Sequence, residues 1–302
     1  MSDGPPVGDA DAERDPHDGS PGGGSGTDAG SPIPEGLDAT LVLVRHGESE
    51  WIREGRFQGQ AETPLSDLGL RQAALAGERL ARPHASPALP VPGGRPVEIV
   101  HSPLARTAAT ARAIADAIDR AGGPSDVPVP VRPEPGILEL CQGDWEGVTH
   151  DDIARRWPSE LSAWRHRPWE SVAPGGETLA EVQARVRPAL GRVLERLGRD
   201  YPRGTFDRPQ VGGYAGVGAG HDQPWSVLVG HDGVFKVVML TLLGLPMTQF
   251  WTFSLGLTGM TVVEFRGGRP VLRAHNLMAH LAPLDDEQAR DAAERRARSG
   301  AL

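Results

Sequence analysis

Short apolar runs alternate along the chain with longer stretches whose apolar residues recur at helical spacing. The runs at Leu41–Val44, Val97–Val100 and residues 225–231 predict strands that are covered on both faces. Residues 66–81 and 104–121 have the spacing of amphipathic helices. Strands that alternate with helices are typical of a parallel sheet with helices on both faces, so the pattern predicts an α/β fold.

The second half of the chain predicts two more helices and a strand pair. A helix is expected over residues 177–198, where Pro188 should kink or split it unless a new helix begins there. An apolar helix is expected over residues 233–244. Met260–Phe265 and Pro270–Leu277 then predict a strand pair joined by a turn with the sequence RGGR.

Composition divides the chain into one domain and two tails. Residues 1–37 are rich in Gly, Pro, Ser and Asp and predict a disordered tail, because they offer little apolar surface to bury. Residues 38–283 are interpreted as a single domain, and the charged residues 284–302 as a second tail. Inside the domain, the Pro-rich residues 82–96 and the Gly-rich residues 204–224 are expected to be flexible.

Charge and cysteine content narrow the classes of function. The formal net charge is -9 and the pI about 5.6, which argues against a general affinity for nucleic acid. Cys141 is the only cysteine, so no intramolecular disulfide can form and a reducing compartment is favoured. No apolar run approaches the ~20 residues that span a bilayer, and the acidic N-terminus lacks the apolar core of a secretory signal. The sequence predicts a cytoplasmic protein without a nucleic-acid or membrane partner.

Basic or titratable residues directly follow three of the predicted strands. Arg45 and His46 follow the first strand, His101 and Arg106 come with the second, and His231 ends the third. Ligands of α/β sheets bind beyond the carboxyl ends of the strands. Three such sets at one sheet edge of an acidic protein predict a phosphate pocket.

These residue types suit phosphoryl transfer. Arg45 and Arg106 offer planar forks of donors that match a phosphate dianion. His46 is the candidate nucleophile, which would form a phosphoenzyme, and His231 is a candidate donor to the transferring oxygens. Glu139 is the candidate general acid that protonates the leaving alkoxide and then, as a base, activates water.

Other interpretations stay open on the residues alone. His46 and His231, each taken by itself, could be structural histidines at strand ends. The proton-donor role of Glu139 has local rivals in Asp144 and Glu146. The convergence of three strand ends is what favours a catalytic site.

Two other catalytic designs fit the spacing poorly. A thiol nucleophile at Cys141 would need an arginine six residues later, where the chain has Gly147. His275 and His280 are five residues apart, which is not the i, i+4 spacing of a helical zinc pair. No set of metal ligands is therefore predicted.

Four segments of the chain carry a resemblance to a known family. The segments LVRHGES, SPLARTAATA, LELCQGDWEG and VLVGHDG, in this order, resemble the histidine phosphatase superfamily, also called phosphoglycerate mutase-like, over about residues 41–275. The resemblance implies a three-layer α/β/α sandwich with a mostly parallel central sheet, in which residues 38–283 form the catalytic domain. It implies a small phosphorylated metabolite as the partner and neither a metal nor a bound cofactor.

The resemblance also implies roles for individual residues. His46 would be the phosphorylated residue and Glu139 the proton donor. Arg45, Arg106 and His231 would hold the phosphate.

Further positions follow from the same motifs. Ser49 and the backbone near Gln58 and Gly59 would touch the substrate. Ile52 departs from the pattern, because members usually have Asn at this position, and an expected polar contact is thereby removed.

The superfamily contains both phosphatases and mutases. Cofactor-dependent mutases resemble one another in a long basic insertion after the acid glutamate, which shields the phosphoenzyme from water. The span from Glu139 to Pro174 is short and Trp-rich, so it resembles the phosphatase branch, which includes ribazole-phosphate and sugar-phosphate phosphatases. A phosphatase acting on a small phosphate monoester is expected. A phosphoglycerate mutase and a non-catalytic phosphate-binding module are the alternatives, and a homo-oligomer stays open.

The tryptophans of this span have two interpretations. Trp145, Trp164 and Trp169, together with Arg165, either line a rim that binds the leaving group or pack the cap over the site. Trp145 is taken as the substrate-binding candidate among them.

Overall fold

The computed structural model describes Met1, residues 30–122, residues 127–201, residues 223–287 and residue 290. The strands are β1 (Ala39–Arg45), β2 (Ile99–His101), β3 (Val131–Pro133), β4 (Trp225–Gly230), β5 (Met260–Arg266) and β6 (Arg269–Leu277). The helices are α1 (Glu50–Arg53), α2 (Asp67–Ala81), α3 (Ala105–Ala121), α4 (His150–Arg156), α5 (Pro158–His166), α6 (Leu179–Leu197) and α7 (Asp232–Leu243). Among the described helices, none has the length and apolarity needed to cross a membrane.

The strands form one six-stranded sheet in the order β3-β2-β4-β1-β5-β6. Strands β3, β2, β4 and β1 are parallel to one another, while β5 runs antiparallel to both of its neighbours. The expected mostly parallel sheet is therefore confirmed. The predicted final strand pair is β5 and β6, whereas the short strand β3 was not predicted.

Two apolar clusters cover the two faces of this sheet, because successive side chains of a strand point to opposite faces. Leu41 and Leu43 of β1 belong to the cluster that contains the apolar sides of α6 and α7. Val42 and Val44 belong to the cluster that contains those of α2 and α3. The arrangement is the expected three-layer α/β/α sandwich.

Helix α6 corrects one expectation, because it continues through Pro188 as a single helix of 19 residues. A proline removes the hydrogen bond to the carbonyl four residues earlier, which here belongs to Ala184. Both residues lie on the exposed side of α6. Water can satisfy that carbonyl, and so the helix does not split.

The expected domain boundaries are too narrow at both ends. Leu37 is only 1% exposed and belongs to the core, and its carbonyl accepts a hydrogen bond of 2.8 Å from the Gly268 amide. At the other end, residues 282–287 are helical and Leu284 is buried. Both residues had been assigned to the tails, yet their apolar side chains are part of the folded unit.

Of the two segments expected to be flexible, the structure describes the Pro-rich one and only the end of the Gly-rich one. In the Pro-rich segment, Leu89 and Val91 are buried in the cluster between the sheet and helices α2 and α3, so this link is anchored rather than loose. Most of the Gly-rich segment, residues 204–222, lies outside the described residues, as do residues 2–29 of the N-terminal tail.

Backbone pairing brings the carboxyl ends of β1, β2 and β4 to one point. The His46 amide donates to the Gly230 carbonyl at 3.0 Å, beyond the last pair of β1 and β4. The Ser102 amide donates to the Val229 carbonyl at 3.0 Å in the same way. The residues that follow these three strands therefore meet at one edge of the sheet, as the sequence predicts.

Candidate active site

His46 lies directly after β1 and is 2% exposed. Its Nδ1 is 2.6 Å from the Gly47 carbonyl, so the proton of the neutral ring belongs on Nδ1 and the lone pair on Nε2. Burial lowers the pKa of His46 well below its usual value, and the charges of Arg106 and Arg45 lower it further. The ring is therefore neutral at physiological pH and has the tautomer that a nucleophilic Nε2 requires.

The segment that carries His46 is held by very close backbone contacts with α2. A Cβ atom on Gly69 would lie 1.9 Å from the Glu48 carbonyl oxygen, and a Cβ atom on Gly47 would lie 2.4 Å from the Gly69 carbonyl oxygen. Ser66, the N-cap of α2 as predicted, donates its amide to the Glu48 carbonyl at 2.9 Å. The two glycines are needed because no side chain fits between these backbones.

Arg106 reaches the site from the first turn of α3 and is fully buried. Its Nη1 donates to the Ala61 carbonyl at 3.0 Å, its Nη2 to the Gly59 carbonyl at 2.7 Å, and its Nε to Nδ1 of His231 at 3.3 Å. Burial lowers its pKa to about 10, so the guanidinium keeps its charge at neutral pH. Each terminal nitrogen carries a second N–H, because a guanidinium has five donors, although Arg106 is not among the residues that line the cavity.

Arg45 is the last residue of β1 and lines the cavity next to His46. Its Nη1 donates to the Leu255 carbonyl at 2.6 Å, which fixes the direction of the fork. Its Nε is buried and has no acceptor among the described residues. A buried charged donor of this kind calls for an acceptor, and a phosphate oxygen would supply one.

His231 is the N-cap residue of α7, and its ring centroid lies 5.1 Å from that of His46. Its Nδ1 accepts from Arg106, and its Nε2 lies 2.8 Å from Oγ of Ser102. Burial is the main cause that lowers its pKa well below the usual value. The structure thus brings His231 into the site, but both ring nitrogens contact protein groups, and a direct bond to phosphate stays a prediction.

Glu139 lines the cavity and is held by the first turn of α7. Its carboxylate accepts from the amides of Leu140 at 2.9 Å, Gly233 at 3.2 Å and Val234 at 2.8 Å. Burial raises its pKa above the usual range, although these amides act in the opposite direction, and the negative charge of Asp232 raises it further. A raised pKa favours the protonated carboxyl group, which suits a proton donor.

The two rivals of Glu139 do not line the cavity. The Glu146 carboxylate accepts from the backbone amides of Gln60, Ala61 and Gln142 at 2.8–2.9 Å, and so it holds the loop together. Asp144 is exposed.

Of the three substrate contacts predicted from the family motifs, Gln58 lines the cavity, whereas Ser49 and Gly59 do not. Gln58 lines the cavity and donates to Oγ of Ser49, while Ser49 itself is fully buried as the N-cap of α1. Gly59 lies behind the cavity, where its carbonyl accepts from Arg106. Ile52, which replaces the usual Asn, lines the cavity wall and adds an apolar surface there.

Trp145 is not at the cavity, which corrects the expectation that it binds the substrate. Its side chain is 0% exposed and packs edge-on against Phe57 at 5.6 Å between ring centroids. Phe57 lines the cavity, so Trp145 supports the wall from behind. Trp164 does line the cavity, whereas Trp169 packs against the core beyond it.

The cavity has a volume of about 430 Å³ and opens between a polar and an apolar side. The polar side includes Arg45, His46, Gln58, Glu139, Gln142 and Asp232, and the apolar side includes Ile52, Phe57, Leu161, Trp164, Phe250 and Trp251. Arg165 also lines it, as expected.

Sequence reasoning missed Asp232, Lys236, Phe250 and Trp251. Asp232 stands next to His231 in the sequence, and Lys236 is the only basic residue of the largely apolar helix α7, so both positions carry a signal in the sequence. Phe250 and Trp251 lie in the 3-10 helix Met247–Thr252, and nothing in their local sequence points to the cavity.

Two features bear on the alternatives considered from the sequence. Burial raises the pKa of the Cys141 thiol, which is opposite to what a thiolate nucleophile needs. Within the described ranges, no group of three or more His, Cys, Asp or Glu side chains is placed to hold a metal ion.

Comparison with known proteins decides the family. The family described as histidine phosphatase superfamily, branch 1, matches residues 41–201 and 215–278. The chain belongs to the histidine phosphatase superfamily. The recognition of this family from the four motifs is thereby confirmed.

Relatives of this histidine phosphatase include several phosphatases. It is 29% identical to phosphoserine phosphatase 1 of Hydrogenobacter thermophilus over 242 residues, which is 80% of this chain and 93% of the relative. It is 32% identical to glucosyl-3-phosphoglycerate phosphatase of Mycolicibacterium vanbaalenii, over 75% of this chain and 84% of the relative. The native structure of a mycobacterial glucosyl-3-phosphoglycerate phosphatase superposes with a TM-score of 0.60 at 28% identity, covering 80% of this chain and 99% of that one.

Phosphoglycerate mutases match over about half of this chain, and the mutase alternative is not better supported than the phosphatase. This histidine phosphatase is a phosphoric monoester hydrolase.

Proposed function

We propose that the protein hydrolyses a small phosphate monoester in two steps, with His46 as the nucleophile. In the first step, Nε2 of His46 forms a bond to phosphorus while the bond from phosphorus to the ester oxygen breaks. Glu139 gives its proton to that oxygen, so the alcohol leaves neutral. In the second step, the Glu139 carboxylate takes a proton from water, water oxygen binds phosphorus, and the bond from phosphorus to Nε2 breaks to release phosphate.

The observation that carries this proposal is the state of the His46 ring. Its Nδ1 is hydrogen-bonded to the Gly47 carbonyl. Burial lowers the pKa of the ring, and the positive charges of two guanidinium groups lower it further. The same two cations, Arg45 and Arg106, suit the phosphate dianion and the charge that develops on it. His231, in this proposal, orients Arg106 through their shared hydrogen bond.

The shape of the cavity supports a small metabolite as the substrate. A volume of about 430 Å³ suits a phosphate ester with a leaving group of modest size. The apolar side with Phe250 and Trp251 suits a leaving group that has a flat, weakly polar face.

The decisive test is phosphate release from a panel of metabolite monoesters, with His46→Ala as the blank. We expect turnover of at least one monoester by the wild type and loss of turnover in the variant. A second measurement, acid-labile labelling of the wild type but not of the variant by a ³²P-labelled substrate, reports the phosphohistidine directly. Equal, near-zero rates in both proteins, with both folded by circular dichroism, would favour a non-catalytic phosphate-binding module.

A separate assay distinguishes the mutase alternative. The protein is incubated with 3-phosphoglycerate and 2,3-bisphosphoglycerate, and isomerisation is compared with phosphate release. We expect phosphate release to dominate, because the span after Glu139 is short. Isomerisation that exceeds phosphate release would identify a mutase.

We also propose that the reaction needs no metal ion, because Arg45 and Arg106 supply the positive charge that a metal would otherwise provide. Activity should then survive treatment with EDTA, and its loss on chelation with recovery by a divalent cation would contradict the proposal.

The proposed setting is the cytoplasm, with a metabolite rather than nucleic acid or a membrane as the partner. The net charge of -9 and the single cysteine support it. Fractionation of cells that express a tagged protein tests the location, and light scattering decides between a monomer and a homo-oligomer.

A further inference from the structure

The cavity contains a carboxylate that the reaction scheme above does not use. Asp232 lines the cavity with its side chain 32% exposed, and its Oδ1 lies 4.0 Å from Nη1 of Arg45. A negative charge at this point repels a phosphate dianion, so its presence in a phosphatase site requires a reason.

Asp232 is held in place by a buried lysine. Lys236, one turn later in α7, has a side chain only 5% exposed and forms an ion pair with the Asp232 carboxylate. The ammonium also lies 5.7 Å from the ring centroid of Phe250 and 5.4 Å from that of Trp251. A lysine buried among aromatic rings needs a charge partner, so Asp232 is fixed in one place by its neighbour.

The position of Asp232 brings it next to the proton donor. The amides of Gly233 and Val234, which follow it directly, hold the Glu139 carboxylate. A Cβ atom on Gly233 would lie 2.8 Å from Oε1 of Glu139, so this carboxylate rests against the backbone of the α7 first turn. One helix turn therefore carries both the anchor of Glu139 and a second, fixed carboxylate.

The other charged or titratable groups around Glu139 come from several elements. They are Arg45 and His46 after β1, Arg106 on α3, His231 after β4, Arg185 on α6 and, across Gln60, Glu177. Arg185 is paired with Glu177 through two bonds of 2.9 Å.

Asp232 is therefore the acidic side chain that acts on Glu139 most directly. Its charge raises the pKa of Glu139 in addition to the larger effect of burial. The cations of the phosphate site act in the opposite direction, since a positive neighbour favours a carboxylate.

We propose that Asp232 is a positioning residue for proton transfer: anchored by Lys236, its carboxylate is the acidic neighbour that suits Glu139 to its role as donor. This inference rests on the proposed function, in which Glu139 protonates the leaving oxygen. It concerns a residue that neither touches the reacting atoms nor serves in the nucleophilic step.

The pH profile of kcat/KM provides the test, with two substrates compared. One is an alkyl phosphate that the wild type hydrolyses, whose leaving alkoxide needs a proton, and the other is p-nitrophenyl phosphate, whose leaving group needs none. In Asp232→Asn the acidic neighbour is lost, the pKa of Glu139 falls, and the alkaline limb of the alkyl-phosphate profile moves to lower pH. A move of one pH unit corresponds to about a tenfold loss of rate on that limb. The loss with p-nitrophenyl phosphate should be several-fold smaller.

Two further variants should move the alkaline limb to higher pH or leave it near the wild-type position, and a third serves as a control. Lys236→Met removes the counter-charge of Asp232, so the alkaline limb should move to higher pH. Asp232→Glu keeps the negative charge, so its pH profile should remain close to that of the wild type. Asp144→Asn is the matched control, because this carboxylate is exposed in the segment that also carries Glu139, and its profile should be unchanged.

Thermal unfolding of each variant shows that it is folded before its profile is interpreted. An Asp232→Asn profile that coincides with the wild type, or equal losses with both substrates, would overturn the inference. The proposed function would survive that result as long as the wild type releases phosphate and His46→Ala does not. If the wild type releases no phosphate, the proposed function itself fails.

Discussion

Replacing Gly69 with alanine tests whether the backbone contact between α2 and the segment after β1 positions the nucleophile. A Cβ atom at this position would lie 1.9 Å from the Glu48 carbonyl oxygen and within 2.9 Å of two further Glu48 backbone atoms. One of the two backbones must move by about 1.1 Å to reach a contact of 3.0 Å. Glu48 is two residues from His46, so the displacement reaches the nucleophile.

The magnitude follows from two opposing effects. Alanine in place of glycine inside a helix gains roughly 0.5–1 kcal/mol. Overpacking against a fixed backbone costs about 1–3 kcal/mol, so the net destabilisation falls between roughly 0 and 2.5 kcal/mol, with a centre of about 1 kcal/mol. A misplacement of about 1 Å at a reacting group lowers the rate by roughly 10²-fold.

Gly191→Ala supplies the matched control, because Gly191 is also inside a helix and the nearest described atom outside that helix would lie 3.8 Å from its added Cβ. We expect Gly191→Ala to keep full activity and to raise the free energy of unfolding slightly. Urea unfolding and kcat/KM for the preferred monoester measure both quantities in each variant. If Gly69→Ala is as stable and as active as Gly191→Ala, the reasoning about this contact is wrong.

Three further predictions concern catalysis and substrate binding. Glu139→Gln should lower kcat for an alkyl phosphate by roughly 10²–10⁴-fold and for p-nitrophenyl phosphate much less, because only the first leaving group needs a proton; equal losses would speak against the donor role. The acid limb of kcat/KM should lie below pH 6.5, because a lowered pKa keeps His46 neutral as the pH falls, and the alkaline limb should lie above pH 4.5, because a raised pKa keeps the proton on Glu139; limbs at the ordinary values would contradict the burial argument. Trp251→Ala should raise KM more for monoesters with large leaving groups than for glycerol phosphate. Trp169→Ala, outside the cavity lining, should leave KM unchanged for both kinds of substrate. An equal rise of KM for all substrates would show that Trp251 does not bind the leaving group.

The sequence predicted the cluster of Arg45, His46 and His231 well for a physical reason. These residues lie at the ends of buried strands that pair in parallel. The carboxyl ends of parallel strands lie at the same edge of the sheet, so the side chains that follow them come together there. Glu139 was the candidate proton donor from the residues, but the sequence alone did not exclude its neighbours Asp144 and Glu146. The structure adds the reason for that choice, since the amides of the α7 first turn hold Glu139, while Glu146 binds loop amides instead.

The apolar end of the cavity could not be predicted in the same way, because it is built by packing between segments far apart in sequence. Trp145 and Trp251 illustrate this, since both are aromatic residues in short 3-10 helices, yet one is fully buried and the other is 48% exposed at the cavity. No periodicity distinguishes them, and only the fold decides which ring faces the substrate. Lys236 does carry a signal in the sequence. It is the single cation of a largely apolar helix and so requires an anion nearby, and Asp232 four residues earlier in the same helix supplies it.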